Sequence, residues 1–171
     1  MKFDLKKHSI DLGIKLGTVL FIITAFLYLI NIESFYNGLK VALFFPIILG
    51  FGIYSAYSSK KNLNQIITFK EAFTAYFVCI VIGYLITSLG DIVIFKFINP
   101  EAANLINEES MVLTKQGLEM MQVNSNEIDI ALESMRNNPV YSYSNIISNY
   151  FIIILINAIF GMIPALIFKK P

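Results

Sequence analysis

Apolar residues in this chain do not alternate with polar ones over short distances. They gather into four long blocks divided by polar stretches. A helix needs about 20 mostly apolar residues to cross a bilayer. The four blocks meet that length, over about residues 12–30, 39–57, 72–97 and 146–168. Residues 58–69 and 99–145 are the polar separators, whereas the turn NIESFYNG between the first two blocks is only a few residues long. The first two helices are therefore expected to be antiparallel neighbours. The first block follows Lys2, Lys6 and Lys7, as a signal peptide would. Its apolar run exceeds the roughly 7–15 residues of a signal core, and no small-x-small cleavage site follows. We read it as a retained span.

The separator at 99–145 has a pattern of its own. Asn99-Pro100-Glu101 reads as an N-cap, a proline at the first helical position and an acid in the first turn. The run EAANLINEESMVLTKQGLEMM is rich in helix formers, weakened by Gly117. Asn124 and Glu127 have the spacing of a capping box, so a second helix is expected after a break between residues 121 and 125. Ile128, Ala131, Leu132 and Met135 recur at helical spacing, and Asn137-Asn138-Pro139 ends the run. That stripe is expected to pack on its neighbour helix or on the span ends. The fold class this predicts is an all-α membrane protein, one domain over 1–171. It comprises a compact bundle of four transmembrane helices with a helical extracytoplasmic insert between spans three and four.

Composition agrees with the blocks. Hydrophobic residues make up 56% and charged residues 15%, against about 45–50% and 25% in soluble domains. The placement of lysines sets an expected orientation. Lys2, Lys6, Lys7 and Lys15 flank the first span, Lys60, Lys61 and Lys70 follow the second, and Lys169 and Lys170 follow the fourth. A four-span topology puts all of them on one side. The long loop has Glu101, Glu108, Glu109, Glu119, Glu127, Asp129 and Glu133 against Lys115 and Arg136. Both termini are thus expected in the cytoplasm of an inner membrane, with loop 99–145 outside. A net charge of +1 gives no footing for nucleic-acid binding. The single cysteine, Cys79, excludes an internal disulfide and is expected to pack as a small hydrophobe. His8, beside Lys6 and Lys7, is expected to be solvated or at headgroup level.

Polar groups inside a bilayer are costly, so they are where function is sought. Asp91 lies 19 residues after Ala72, about 28 Å along a helix. It is expected near the outer boundary, as an anchor or packing partner within reach of Asn149, Tyr150, Asn31 or water. A transport acid would instead be deep, in a cavity with Asn157 or Tyr84 on its wall. Asn157, at mid-span, is expected to form an interhelical hydrogen bond, with Tyr84 as candidate partner. Lys96 and Lys15 can snorkel to the headgroups. Gly13 and Gly17 form a G-x-x-x-G pair, Gly83, Thr87 and Gly90 share a face, and Asn157, Gly161 and Ala165 recur every fourth residue. These small-residue stripes predict close helix approach. Pro46 and Pro164 are expected to kink their helices statically. Tyrosines near span ends, such as Tyr28, Tyr57 and Tyr150, fit an interfacial belt.

Three segments, ITFKEAF at 67–73, NNPVY at 137–141 and FGMIPALIFKK at 160–170, together with the four-span layout, resemble the bacterial domain-of-unknown-function 4199 family. The resemblance covers nearly the whole chain. It implies the same topology and, as no activity is assigned to that family, no mechanism and no functional residues.

Phosphate-binding, zinc and nucleophile signatures are absent. No enzymatic activity, cofactor or metal is therefore expected. The leading expectation is a structural or interaction component of a membrane assembly, with the lipid bilayer and a second copy or another membrane protein as partners. The alternative is a subunit of a small oligomeric transporter or channel.

Overall fold

The computed structural model describes residues 3–169, so Lys2 and Lys170 of the basic flanks lie outside the described residues. Helix α1 covers Leu5–Ile30, and a 3-10 turn, Ile32–Phe35, leads to α2, Leu39–Asn62. Helix α3, Phe69–Ile92, runs on into a π-helical stretch, Val93–Ile98. Then come α4, Pro100–Met120, α5, Ser125–Asn137, and α6, Tyr143–Phe168. Among the described residues all regular structure is helical. Helices α1, α2, α3 with its π-helical stretch, and α6 are long and apolar enough to cross a membrane. Large side chains such as Phe26, Leu29, Val41, Phe151, Leu155 and Ile167 stand exposed on them. A contiguous apolar surface of that kind is rare on soluble monomers.

Helices α1, α3 and α6 begin earlier than their apolar blocks, because polar first turns carry the caps. Asp4 accepts from the Lys7 amide at the start of α1. At α3 a full capping box forms within ITFKEAF. Thr68 Oγ1 accepts from the Glu71 amide at 3.2 Å, and the Glu71 carboxylate accepts from the Thr68 amide at 2.9 Å. Two orphan backbone donors are thereby satisfied together.

Helix α3 is the centre of the bundle and touches α1, α2 and α6. Helices α1 and α2 do meet, but α1 lies chiefly along α3. Glycines set that approach. A Cβ at Gly13 would stand 2.8 Å from the Cys79 carbonyl oxygen, and one at Gly17 2.8 Å from that of Gly83. The G-x-x-x-G pair is thus used within the chain, and Leu16 fills the space over Gly83. Pro46 and Pro164 lie within continuous helices.

The insert consists of two helices broken at residues 121–124, with Gln122 in the left-handed region at φ 58°. Asn99 caps α4 with Pro100 at its first position, and the helix runs unbroken through Gly117. The capping box expected at α5 does not form. Asn124 accepts from the Asn126 amide at 3.1 Å, while the Glu127 amide donates to the Asn124 carbonyl. The side chain turns one residue short of Glu127, a geometry an asparagine cap adopts readily. Ile128 is buried and Ala131, Leu132 and Met135 are half-buried, with α5 packed against α4.

Helix α4 seats on the bundle end formed by the 3-10 turn and the π-helical stretch. There Phe95 stacks on Tyr141 at 3.9 Å between ring centroids, with Phe35 edge-on at 5.2 Å. Three asparagines fix the junction. Asn99 Nδ2 donates to the Tyr28 hydroxyl, the Val140 amide donates to Asn107 Oδ1, and Asn145 Nδ2 donates to the Asn138 and Pro139 carbonyls.

Candidate functional site

The NIESFYNG turn delivers Lys40 as the second residue of α2, while Asp91 is the next-to-last residue of α3. Antiparallel packing brings the two to the bundle end that carries α4 and α5. The Lys40 ammonium donates to both Asp91 oxygens, at 3.0 and 3.2 Å. The side chains are only 14% and 17% exposed. Charges that far from water need a partner. Rings shield the cation further: Nζ is 5.0 Å from the centroid of Phe35, 5.4 Å from Phe44 and 5.8 Å from Tyr141. Burial and then the neighbouring Asp91 carboxylate push the Tyr141 phenol well above its usual range.

Asp91 stands seven residues before the helical run ends at Ile98, and its partner is Lys40. Asn31 caps the 3-10 turn instead, and the Tyr150 hydroxyl donates to the Val81 carbonyl. The pair is 51 residues apart. The only sequence signal was a lysine at the head of an apolar block, which the count of flanking charges passed over.

Between α2, α3 and α6 lies a cavity of about 390 Å³. Its polar lining comes from Lys40, Asp91, Tyr84, Ser88, Asn149 and Asn157; Phe44, Phe45, Ile48, Ile153 and Ile156 supply apolar wall. The cavity therefore joins Asp91 to Asn157 and Tyr84, the two residues expected on the wall of a deep site.

Asn157 bonds across the bundle as expected, but to Tyr76 and not to Tyr84. The Tyr76 hydroxyl donates to Asn157 Oδ1 at 3.1 Å, and Asn157 Nδ2 donates to the Ile153 carbonyl at 2.9 Å. Tyr76 is wholly buried. Its ring is held between two glycines: a Cβ at Gly52 or at Gly161 would stand 2.5 Å from a ring carbon. Gly161 is therefore a seat for an aromatic ring, and Tyr76 ties α2, α3 and α6 together. Nothing in the sequence marked Tyr76 among nine tyrosines. Tyr84, eight residues on, faces the cavity with its ring 6.4 Å from that of Tyr150.

At the opposite bundle end, His8 Nε2 lies 2.8 Å from Ser58 Oγ, so His8 is bonded to α2 and not simply solvated. Ser58 Oγ also donates to the Ser55 carbonyl, and the contact joins α1 to α2. Lys96 lies over the Tyr143 ring at 5.4 Å. Cys79 is buried, with Sγ 3.9 Å from the Phe51 carbonyl oxygen. Among the described residues no three His, Cys, Asp or Glu side chains gather as a metal site would require.

Compared with known proteins, the chain matches one family model over residues 11–170, described as a protein of unknown function, DUF4199. No curated protein and no solved structure matches.

Proposed function

The chain belongs to the DUF4199 family of proteins of unknown function, and we propose for it a non-enzymatic role in the bacterial inner membrane. In this reading it is a structural or interaction component of a membrane assembly. One observation carries it. The α4–α5 unit is clamped to the bundle end by its asparagine bonds and by the Phe35–Phe95–Tyr141 cluster, yet Leu105, Leu113, Met120, Met121 and Ile130 stay exposed on it. An ordered unit that leaves apolar side chains uncovered suits a protein partner.

Among the described residues, seven of the eleven Lys and Arg lie towards the end with Asp4 and Lys169, and nine of the twelve carboxylates lie towards the other. That bias supports cytoplasmic termini and an extracytoplasmic α4–α5 unit. A reporter active only in the cytoplasm is expected to work after Pro171 and within residues 58–65, and one active only outside to work near Asn124. Cytoplasmic activity at Asn124 overturns the orientation. For the partner, purification of the tagged chain from native membrane is expected to recover a membrane protein in fixed stoichiometry. Met120→Glu with Met121→Glu is expected to lose it, and recovery of the chain alone overturns the reading.

The cavity favours a second reading, a subunit of an oligomeric transporter, because Asp91, Tyr84 and Asn157 share its wall. Lys40 weighs against it by neutralising the one carboxylate there. Substrate uptake by reconstituted vesicles, lost on Asp91→Asn, is the outcome that would put this reading first.

A further inference from the structure

We infer that the cavity between α2, α3 and α6 is a binding site for a neutral amphiphile that enters sideways from the bilayer. The site would take a hydroxyl or carbonyl head beside Tyr84 and Ser88 and an apolar tail along Phe45, Ile153 and Ile156. Neither the assembly role nor the transport role proposed above is needed for it.

Its size is the first support, since about 390 Å³ falls in the range of roughly 300–1,000 Å³ typical of small-molecule sites. The second is where it opens. Val41, Phe45 and Ile156 line the cavity and are also 70%, 49% and 40% exposed. The mouth thus lies between α2 and α6, on the apolar flank that would face lipid. Further along, the Phe45 ring stands edge-on to Phe160 at 5.7 Å, bridging the two helices.

The charge state of the lining selects the ligand. Lys40 and Asp91 satisfy one another, so an anionic head finds no free cation and a cationic head no free carboxylate. Tyr84, Ser88 and Asn149 form no side-chain hydrogen bond to another described residue, whereas Asn157 and Tyr76 are bonded together. Hydrogen-bonding groups therefore converge near the ion pair without partners, and the remaining wall is apolar. Polar groups in such surroundings gain from any ligand that completes them.

The test uses the full chain in phosphatidylcholine nanodiscs, with a monoacylglycerol carrying a diazirine in its acyl chain. Labelled residues are mapped by mass spectrometry. Label is expected at Phe45, Ile153 and Ile156 in preference to Leu155 and Ile159, which are exposed on α6 outside the cavity. Unlabelled monooleoylglycerol should compete, and oleate and oleylamine should not. Filling the space with Ile153→Trp should abolish the cavity label. Tyr84→Phe and Ser88→Ala, each of which keeps the apolar packing, should each weaken competition about fivefold, the factor for one lost hydrogen bond. Labelling of Leu155 and Ile159 equal to that of the cavity residues overturns the proposal. So does equal competition by the charged amphiphiles, or competition that neither Tyr84→Phe nor Ser88→Ala changes. Should Ile153→Trp unfold, as judged by thermal melting, those two milder variants decide.

Discussion

Along α1 and α3 the two backbones lie against one another, with Gly13 and Gly17 facing Cys79, Gly83 and Ile86. Along α2 and α6 the helices stand apart near Lys40 and Asn149, and rings span the seam at Phe45–Phe160 and Tyr57–Phe168. Both seams join apolar helices of similar length, yet one is closed and the other encloses a cavity. Glycine placement accounts for much of this. On α1 both glycines point at α3, so no side chain holds the helices apart. On α2 Gly52 admits the Tyr76 ring, while nothing comes within 4 Å of a Cβ built on Gly50. Where lipid gives no hydrophobic drive between helices, contact depends on packing and hydrogen bonds. Small residues give a closed seam, and large rings leave room for a ligand.

The sharpest way to break that contrast is to fill the closed seam. A Cβ at Gly17 would lie 2.6 Å from the Ile86 Cβ and 2.8 Å from the Gly83 carbonyl. Gly17→Leu is therefore expected to cost about 3 kcal/mol, the upper end for overpacking, because a backbone carbonyl cannot step aside. Reversible unfolding in mild detergent measures this. A loss below that of Gly50→Leu would mean the α1–α3 seam is not close-packed.

The next effect lies at the mouth of the open seam. Asp91→Asn or Lys40→Met strands one charge among rings and should cost about 1–3 kcal/mol, discounted from a fully buried pair for the remaining exposure. The double variant should cost less than the two single costs together, by the coupling energy. Strict additivity would show the pair contributes nothing.

Tyr76→Phe removes one hydroxyl from the three-helix tie and leaves the ring between its glycines. A loss of about 0.6–2 kcal/mol is expected, the range for an interhelical hydrogen bond. Asn157→Ala should then cost less in the Tyr76→Phe background than alone, because only its bond to the Ile153 carbonyl is left to lose, and equal costs in the two backgrounds would show that the Tyr76–Asn157 bond contributes nothing. The smallest effect is expected at Gly50→Ala, a gain of up to about 1 kcal/mol from helix preference alone. If this variant is destabilised, α2 has a neighbour at Gly50 that a single copy of the chain does not supply.

Much of the architecture was legible one residue after another. Four apolar blocks became four long helices, and the two-helix insert broke at residues 121–124 because Asn99-Pro100 and Asn124 signal starts locally. The partners did not follow. Asn157 bonds to Tyr76 and leaves Tyr84 to the cavity, although the two tyrosines are only two turns apart on α3. The capping box appeared at Thr68 and Glu71, where it went unread, and not at Asn124. Both misses concern a side chain's direction, and spacing alone does not fix that.

What the sequence by itself determined is therefore everything set by length, composition and local capping. It includes the number of spans, the order of elements, the charge bias between the two ends and the glycines available for close approach. Only the tertiary structure decided which faces meet. The spanning helices are apolar nearly all round, so no polar stripe tells which side turns inward. Lys40 and Asp91 lie 51 residues apart, and Tyr76 and Asn157 81. They find one another through the rotation and tilt of whole helices, which many weak packing contacts fix together. The cavity is a by-product of that same settlement, because it exists only where three helices fail to close.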